Sequence, residues 1–285
     1  MKKLACLILP LVFLLSACGR IDGTVIPEEK APQASLINIE GKTVEERFGL
    51  PAGFTRVETG GDSFGRYLRN LPLKPSGEKV KYYDGSLKAR DVYEAVVDLD
   101  VGERDLQQCA DAVIRLRAEY LYGMGQYDRI HFNFTNGFRA DYPTWRQGSR
   151  IVVEGNSARW VKNSGYSGDY AVFRKYLDMV FAYAGTLSLS GEMPQAAVPE
   201  MKIGDVFLKG EDPGHCVIVV DMAENKDTGQ KIFMLAQGYM PAQDIHILKN
   251  PRQADISPWY PLDFGEKLYT PEWTFSRDQL VRFGD

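Results

Sequence analysis

The sequence predicts an α+β fold, and three stretches carry that expectation. Between Gly204 and Leu248, apolar runs of strand length rich in Val and Ile alternate with Gly, Pro and Asn/Asp clusters, the mark of successive antiparallel strands. From about Asp105 to Tyr122, Leu106, Cys109, Val113, Leu116 and Tyr120 recur at spacings of three and four, which lays them on one face of a helix. A second helix is expected from Gly168 to about Gly185, with Tyr170, Phe173, Leu177, Val180, Phe181 and Ala184 on a broad apolar face.

The chain begins Met-Lys-Lys, continues through an apolar run from Leu4 to Leu15, and reaches Ser16-Ala17-Cys18-Gly19. A basic start, an apolar segment of this length and small residues before a cysteine form an export signal, here 1–17. The run resembles a bacterial lipobox, which implies cleavage before Cys18 and lipidation of its thiol, so the expected partner is a membrane reached through a lipid anchor. Residues 18–38 read as a tether and 39–285 as one domain. The expected place is the cell envelope on the extracytoplasmic side, and the outer membrane where the cell has one, because Gly19 is not an Asp.

Composition excludes several classes. With 44% hydrophobic and 25% charged residues, a formal net charge of −4 and no basic block, the chain is not built to bind nucleic acid. No His/Cys spacing suits zinc, and neither a metal nor a cofactor is expected.

In chain order, Thr43-Val44-Glu45-Glu46 has capping-box spacing for a short helix ending near Gly49. Asp62 or Ser63 caps another, which carries Phe64, Tyr67 and Leu68 and ends at Leu71-Pro72. Val80 to Tyr83 with Asp84-Gly85 reads as a hairpin, and Val92 to Leu99 as a further strand. After the Cys109 helix, Gly123 to Gly148 is loop-like and aromatic-rich. Arg139, Asp141 and Trp145 are the candidates there for cleft contacts with glycan or peptide, which need stacking faces beside hydrogen-bonding groups. Arg150 to Glu154 is a short strand, and the second long helix is expected to pack on the strands around His215. Pro194 and Pro199 bound a linker, and a Pro- and Trp-rich wrap ends in a short helix capped by Ser276.

The candidate chemistry rests on Cys109, His215 and Gln237. If the turn between the second and third strands of the Gly204–Leu248 stretch centres near Asp227, His215 falls opposite Gln237 on one face. An amide that fixes an imidazole's tautomer leaves the other ring nitrogen to take a thiol proton. Cys109 sits early in its helix, where unpaired N–H groups favour a thiolate. Gln107 or Gln108, just before it, is the candidate oxyanion donor. Three readings of Cys109 stay open: nucleophile, inert core thiol, or disulfide partner of Cys216. Strand alternation sends His215 and Cys216 to opposite faces, so dyad and disulfide are rival models. His131 and His246 are read as surface or core residues. Asp221 shares the face of His215 but lies too far along the strand to orient it.

The order of these parts, Cys109, Gly204-Asp205, His215 and Gln237, resembles the NlpC and CHAP groups of papain-like cell-wall peptidases and amidases. That resemblance implies a papain-like sheet packed against the Cys-bearing helix, with cleavage of peptide bonds in peptidoglycan stems. Their usual Asp-Cys-Ser-Gly run is replaced here by Gln108-Cys109-Ala110-Asp111. The stretches Ser63-Phe64 to Pro75, Gln107 to Ala112 and Leu235 to His246 are similar to a family of bacterial lipoproteins known only as a domain of unknown function, which covers most of the chain and implies no activity. The expected function is amide hydrolysis on a cell-wall peptide by a lipoprotein. The alternative is a non-catalytic lipoprotein that binds glycan or peptide in the same cleft.

Overall fold

The computed structural model describes residues 35–284. The signal at 1–17, the lipidation of Cys18 and most of the 18–38 tether lie outside the described residues. The last of that segment packs on the domain: the Leu36 carbonyl accepts from the Gly49 N–H at 2.6 Å, and the Asn38 N–H reaches the Arg47 carbonyl at 2.8 Å. No helix among the described residues is long and apolar enough to cross a membrane.

The fold is mixed α+β around an eight-stranded sheet whose strand pairs are all antiparallel. Its main path runs Leu280–Val281, Val206–Lys209, His215–Glu224, Lys231–Gln237, His246–Leu248, Tyr93–Val96, with Thr55–Arg56 and Tyr260–Pro261 pairing alongside. The middle strands are buried for nearly their whole length, which is why they read as continuous apolar runs. Asn225 Oδ1 accepts from the Asp227 and Thr228 N–H groups in the connecting turn, and Gly229 takes φ 72° there.

One apolar layer lies between the sheet and the Cys109–Gly123 helix and contains Cys216, Ile218, Val220 and Ala236. The other face holds Val217, Val219, Phe233 and Leu235 against Tyr260, Leu268 and Phe275 of the C-terminal wrap. The short helices form where their caps predict. Thr43 Oγ1 accepts from the Glu46 N–H at 3.2 Å before Val44–Arg47, and Ser63 Oγ from the Arg66 N–H at 3.1 Å before Phe64–Arg69.

Several expectations change. The Tyr170–Tyr183 helix packs not on the His215 strands but on the outer side of the Cys109 helix, where Phe173 stacks on Tyr122 at 4.3 Å and Tyr170 Oη meets Arg115 at 3.1 Å. The sheet's face is already covered by the Cys109 helix. Between that helix and the linker at Pro194 and Pro199 the chain forms a further helix, Thr186–Glu192, and the Ser149–Glu154 strand has a partner, Ser157–Lys162. The hairpin turn at Asp84-Gly85 forms, with the Tyr82 N–H donating to the Ser86 carbonyl at 2.8 Å and Lys81 bridging Leu87, but it does not extend into a ladder, and Tyr82 bridges Gln243 instead.

A register shift between Val219 and Asp221 alters the alternation of the His215 strand. With the extra residue, Asp221 turns to the opposite face from His215 and is held by Arg56 at 2.8 Å and Arg69 at 2.7 Å. Its sequence placement on the His215 face is thereby corrected.

Candidate active site

Cys109 is the first residue of its helix, with Gln108 as the N-cap. Two local features start the helix there. The Gln108 N–H donates to Asp111 Oδ2 at 3.0 Å, and Gln108 Nε2 donates to Asp105 Oδ1 at 3.1 Å. Asp105 Oδ1 also accepts from the Ala242 N–H at 2.7 Å, which ties the helix start to the segment after the Lys231 strand.

The helix start is seated directly on the sheet because residue 238 has no side chain. A Cβ on Gly238 would lie 2.8 Å from Ala112 Cβ and 2.8 Å from the Gln108 carbonyl oxygen. Since Ile218 pairs with Ala236, counting out along the ladder places Gly238 across from Cys216. The Cys109 sulfur thus sits over the beginning of the His215 strand, near enough to the side chains of Cys216 and His215 for both to act on its charge. The expectation that alternation would keep Cys216 out of reach fails at the strand's end, where the sulfur meets the first two residues together. Both thiols are free.

These contacts set the charges. The Cys109 thiol is pulled down to about 4, first by the hydrogen bond from Cys216 and then by the hydrogen bond and charge of the His215 ring, against the opposing effect of burial. Cys216, wholly buried and donating to that sulfur, is pushed well above the usual thiol range. Asp111, buried beside the thiolate, is pushed well above the carboxylate range by desolvation, and its Oδ1 has no partner.

By the same register Val217 is across from Gln237, so His215 and Gln237 share a face on the diagonal, one pleat away from the directly opposed positions expected. The long amide closes that gap, and Gln237 Oε1 lies 2.9 Å from His215 Nε2. The ring is packed by Tyr239 at 4.9 Å, Trp273 at 5.0 Å and Phe275 at 6.2 Å. The other end of the amide is also held: Gln237 Nε2 lies 2.8 Å from Glu272 Oε2 and 3.2 Å from His246 Nε2. Glu272 is paired in turn with Lys88 at 3.0 Å, both side chains 2% exposed, and with Arg90 at 3.3 Å. His246 faces the Asp244 carbonyl through Nδ1 at 2.9 Å, and burial depresses its pKa to about 4.

An open cleft of about 490 Å³ leads to this cluster and is lined by Gln108, Cys109, Asp111, Thr186, Asp212 and Met240 among others. A larger cavity of about 600 Å³ opens at the far end of the central strands, by Thr228 and Lys231, and holds none of these groups. The remaining candidates lie elsewhere. Gln107 is buried, with Oε1 bound to Arg115 Nη1 at 3.0 Å, and only Gln108 reaches the cleft. Arg139 and Asp141 pair with each other at 2.8 Å on a separate hairpin, outside the cleft lining. Trp145 is a core residue: its Nε1 donates to the Val172 carbonyl at 3.1 Å, and the Arg150 guanidinium covers its ring at 4.4 Å. Its aromatic segment is folded inward. His131 is on that separate hairpin, and His246, read only as surface or core, is a buried neighbour of Gln237.

Glu272 was not visible in the sequence. It lies in the irregular Pro271-Glu272-Trp273 run, and its contacts with Gln237, Lys88 and Arg90 across the fold reveal it.

Fold and cluster together define a mixed α+β protein with a Cys–His–Gln arrangement at the end of a central antiparallel sheet, beneath an open cleft. The chain belongs to the DUF4846 family, described as a domain of unknown function, whose model matches residues 44–282 and so includes Cys109, His215, Gln237 and Glu272. No curated protein and no solved structure matches it.

Proposed function

We propose that this protein is an exported lipoprotein that hydrolyses an amide bond in cell-wall peptide by cysteine-nucleophile chemistry. The observation that carries the reading is the convergence on one sulfur of a helix N-terminus and the His215 imidazole, with Gln237 holding the ring's far nitrogen. The likeness of this order of parts to the NlpC and CHAP peptidases supports it, as does the lipobox-like leader. In the reaction, the Cys109 thiolate attacks the amide carbonyl. The N–H of Cys109, as the first residue of its helix, needs no partner within the helix and donates to the oxyanion, and the second hydrogen on Gln108 Nε2, beyond the one given to Asp105, is the other donor. The proton held by His215 goes to the departing amine, leaving a thioester. Water then attacks, giving its proton to His215, and an acid leaves as the thiolate re-forms.

The test is incubation with muropeptides and intact-mass detection of products. The wild type should release an amine and an acid differing from substrate by one water. Cys109→Ala should abolish turnover, His215→Ala should cost about 10²- to 10⁴-fold, and Gln237→Ala less. Muropeptides that bind but stay intact would overturn the hydrolase reading and leave a binding cleft.

A further inference from the structure

Gln237 is useful to His215 only in one of its two amide orientations. With Oε1 toward Nε2, it accepts the ring's N–H and leaves Nδ1 with a bare lone pair for the thiol. Flipped, it offers N–H groups to Nε2 and favours the other tautomer, in which Nδ1 carries the hydrogen and is no acceptor. Nothing in Gln237 itself chooses between them.

Two neighbours do. His246 Nδ1 faces the Asp244 carbonyl at 2.9 Å, and a carbonyl only accepts, so the hydrogen of the neutral ring is on Nδ1 and Nε2 is an acceptor. The carboxylate oxygen Glu272 Oε2 is the second acceptor, 2.8 Å from the amide nitrogen. Both amide hydrogens therefore have acceptors on one side, and Oε1 faces His215 on the other. Lys88 and Arg90 both meet Glu272 Oε1, which leaves Oε2 for the amide. Lys88 also lies 5.0 Å over the ring of Tyr239, which packs on His215, so the ion pair and the imidazole share one wall.

We propose that Glu272, fixed by Lys88, is a positioning residue of the Cys109 site that sets the orientation of the Gln237 amide and through it the tautomer of His215. The inference rests on the proposed reading of the site and deepens it. Loss of the carboxylate removes an acceptor from the amide, the flipped orientation becomes populated, and His215 presents N–H instead of a lone pair to the thiol. The other groups facing this cluster are Cys216 and Asp111 at the sulfur and Tyr239 at the ring, and none of them touches Glu272 in hydrogen-bond contact.

The experiment is the alkylation rate of Cys109 against pH in the full chain, without substrate, read by mass spectrometry with Cys216 as the internal control. In Glu272→Gln, where Lys88 and Arg90 hold the new amide's oxygen and its NH2 is turned to Gln237, the pH midpoint should rise by more than about one unit, which means roughly ten-fold slower alkylation below the midpoint. Cys216 should stay protected in the native state. Removing one charge from a buried pair strands Lys88, so a second variant, Lys88→Met with Glu272→Leu, replaces the pair by apolar volume. Its midpoint should rise likewise. An unchanged midpoint in either folded variant overturns the proposal. Because alkylation needs no turnover, an inactive wild type with a Glu272-dependent midpoint would sink the hydrolase reading alone.

Discussion

The Cys216 thiol lies beside the Cys109 sulfur and is the largest influence drawing that sulfur toward the thiolate. The donor is wholly buried in the sheet, and the acceptor stands at the floor of the cleft. Cys216→Ala should therefore raise the pH midpoint of Cys109 alkylation, while Cys216→Ser, which keeps an O–H donor, should raise it less. Equal midpoints in wild type and Cys216→Ala would contradict the contact.

Gly238 is the second lever on the same sulfur. In Gly238→Ala the new methyl meets Ala112 Cβ and the Gln108 carbonyl at 2.8 Å, and neither is the flexible end of a side chain. The helix start must lift from the sheet, at a cost of about 1 to 3 kcal/mol. Urea unfolding should show that loss, and Cys109 should react more slowly at acidic pH because its partners on the sheet are no longer beneath it.

His246 supplies a pH dependence with a defined sign. Its pKa is depressed to about 4 by burial, whereas an unfolded histidine titrates near about 6.5. Above both values neither state binds the proton. As pH falls between them, only the unfolded chain does, so stability is lost over that window, by up to about 3 kcal/mol, and no more is lost below it. The pH profile of unfolding free energy in His246→Asn, subtracted from that of wild type, should slope in this window and be flat above it.

Asp221 tests whether the distant buried ion cluster is separable from the site. Asp221→Asn leaves Arg56 and Arg69 without their carboxylate and should cost about 3 to 5 kcal/mol in urea unfolding. The Cys109 alkylation midpoint should not move, since the register shift turns Asp221 away from His215.

Much of this was legible locally. Thr43 and Ser63 announce their helices because a cap is a contact between residues three apart. The strands from Val206 to Leu248 announce themselves by apolar runs, and Cys109, His215 and Gln237 by the chemistry their types permit. What stayed hidden depends on contacts between distant segments. Periodicity does not show the extra residue near Val220 that reverses Asp221. The need for a bare backbone at Gly238 shows only once a helix is laid on it. Arg139, Asp141 and Trp145 were drawn toward the cleft by composition, but their ring neighbours and ion pairs hold them in another part of the domain.

The ion pair between Lys88 and Glu272 joins positions 184 apart in sequence. Cys109, His215 and Gln237 all leave the ribosome before Glu272 does, and closing so long a segment is among the slower steps available to the chain. A nascent or C-terminally truncated chain thus holds the thiol and the imidazole without the carboxylate that bonds the Gln237 amide. If Glu272 plays its proposed part, the last roughly ten-fold of reactivity at Cys109 is acquired only when the Pro271-Glu272-Trp273 segment docks.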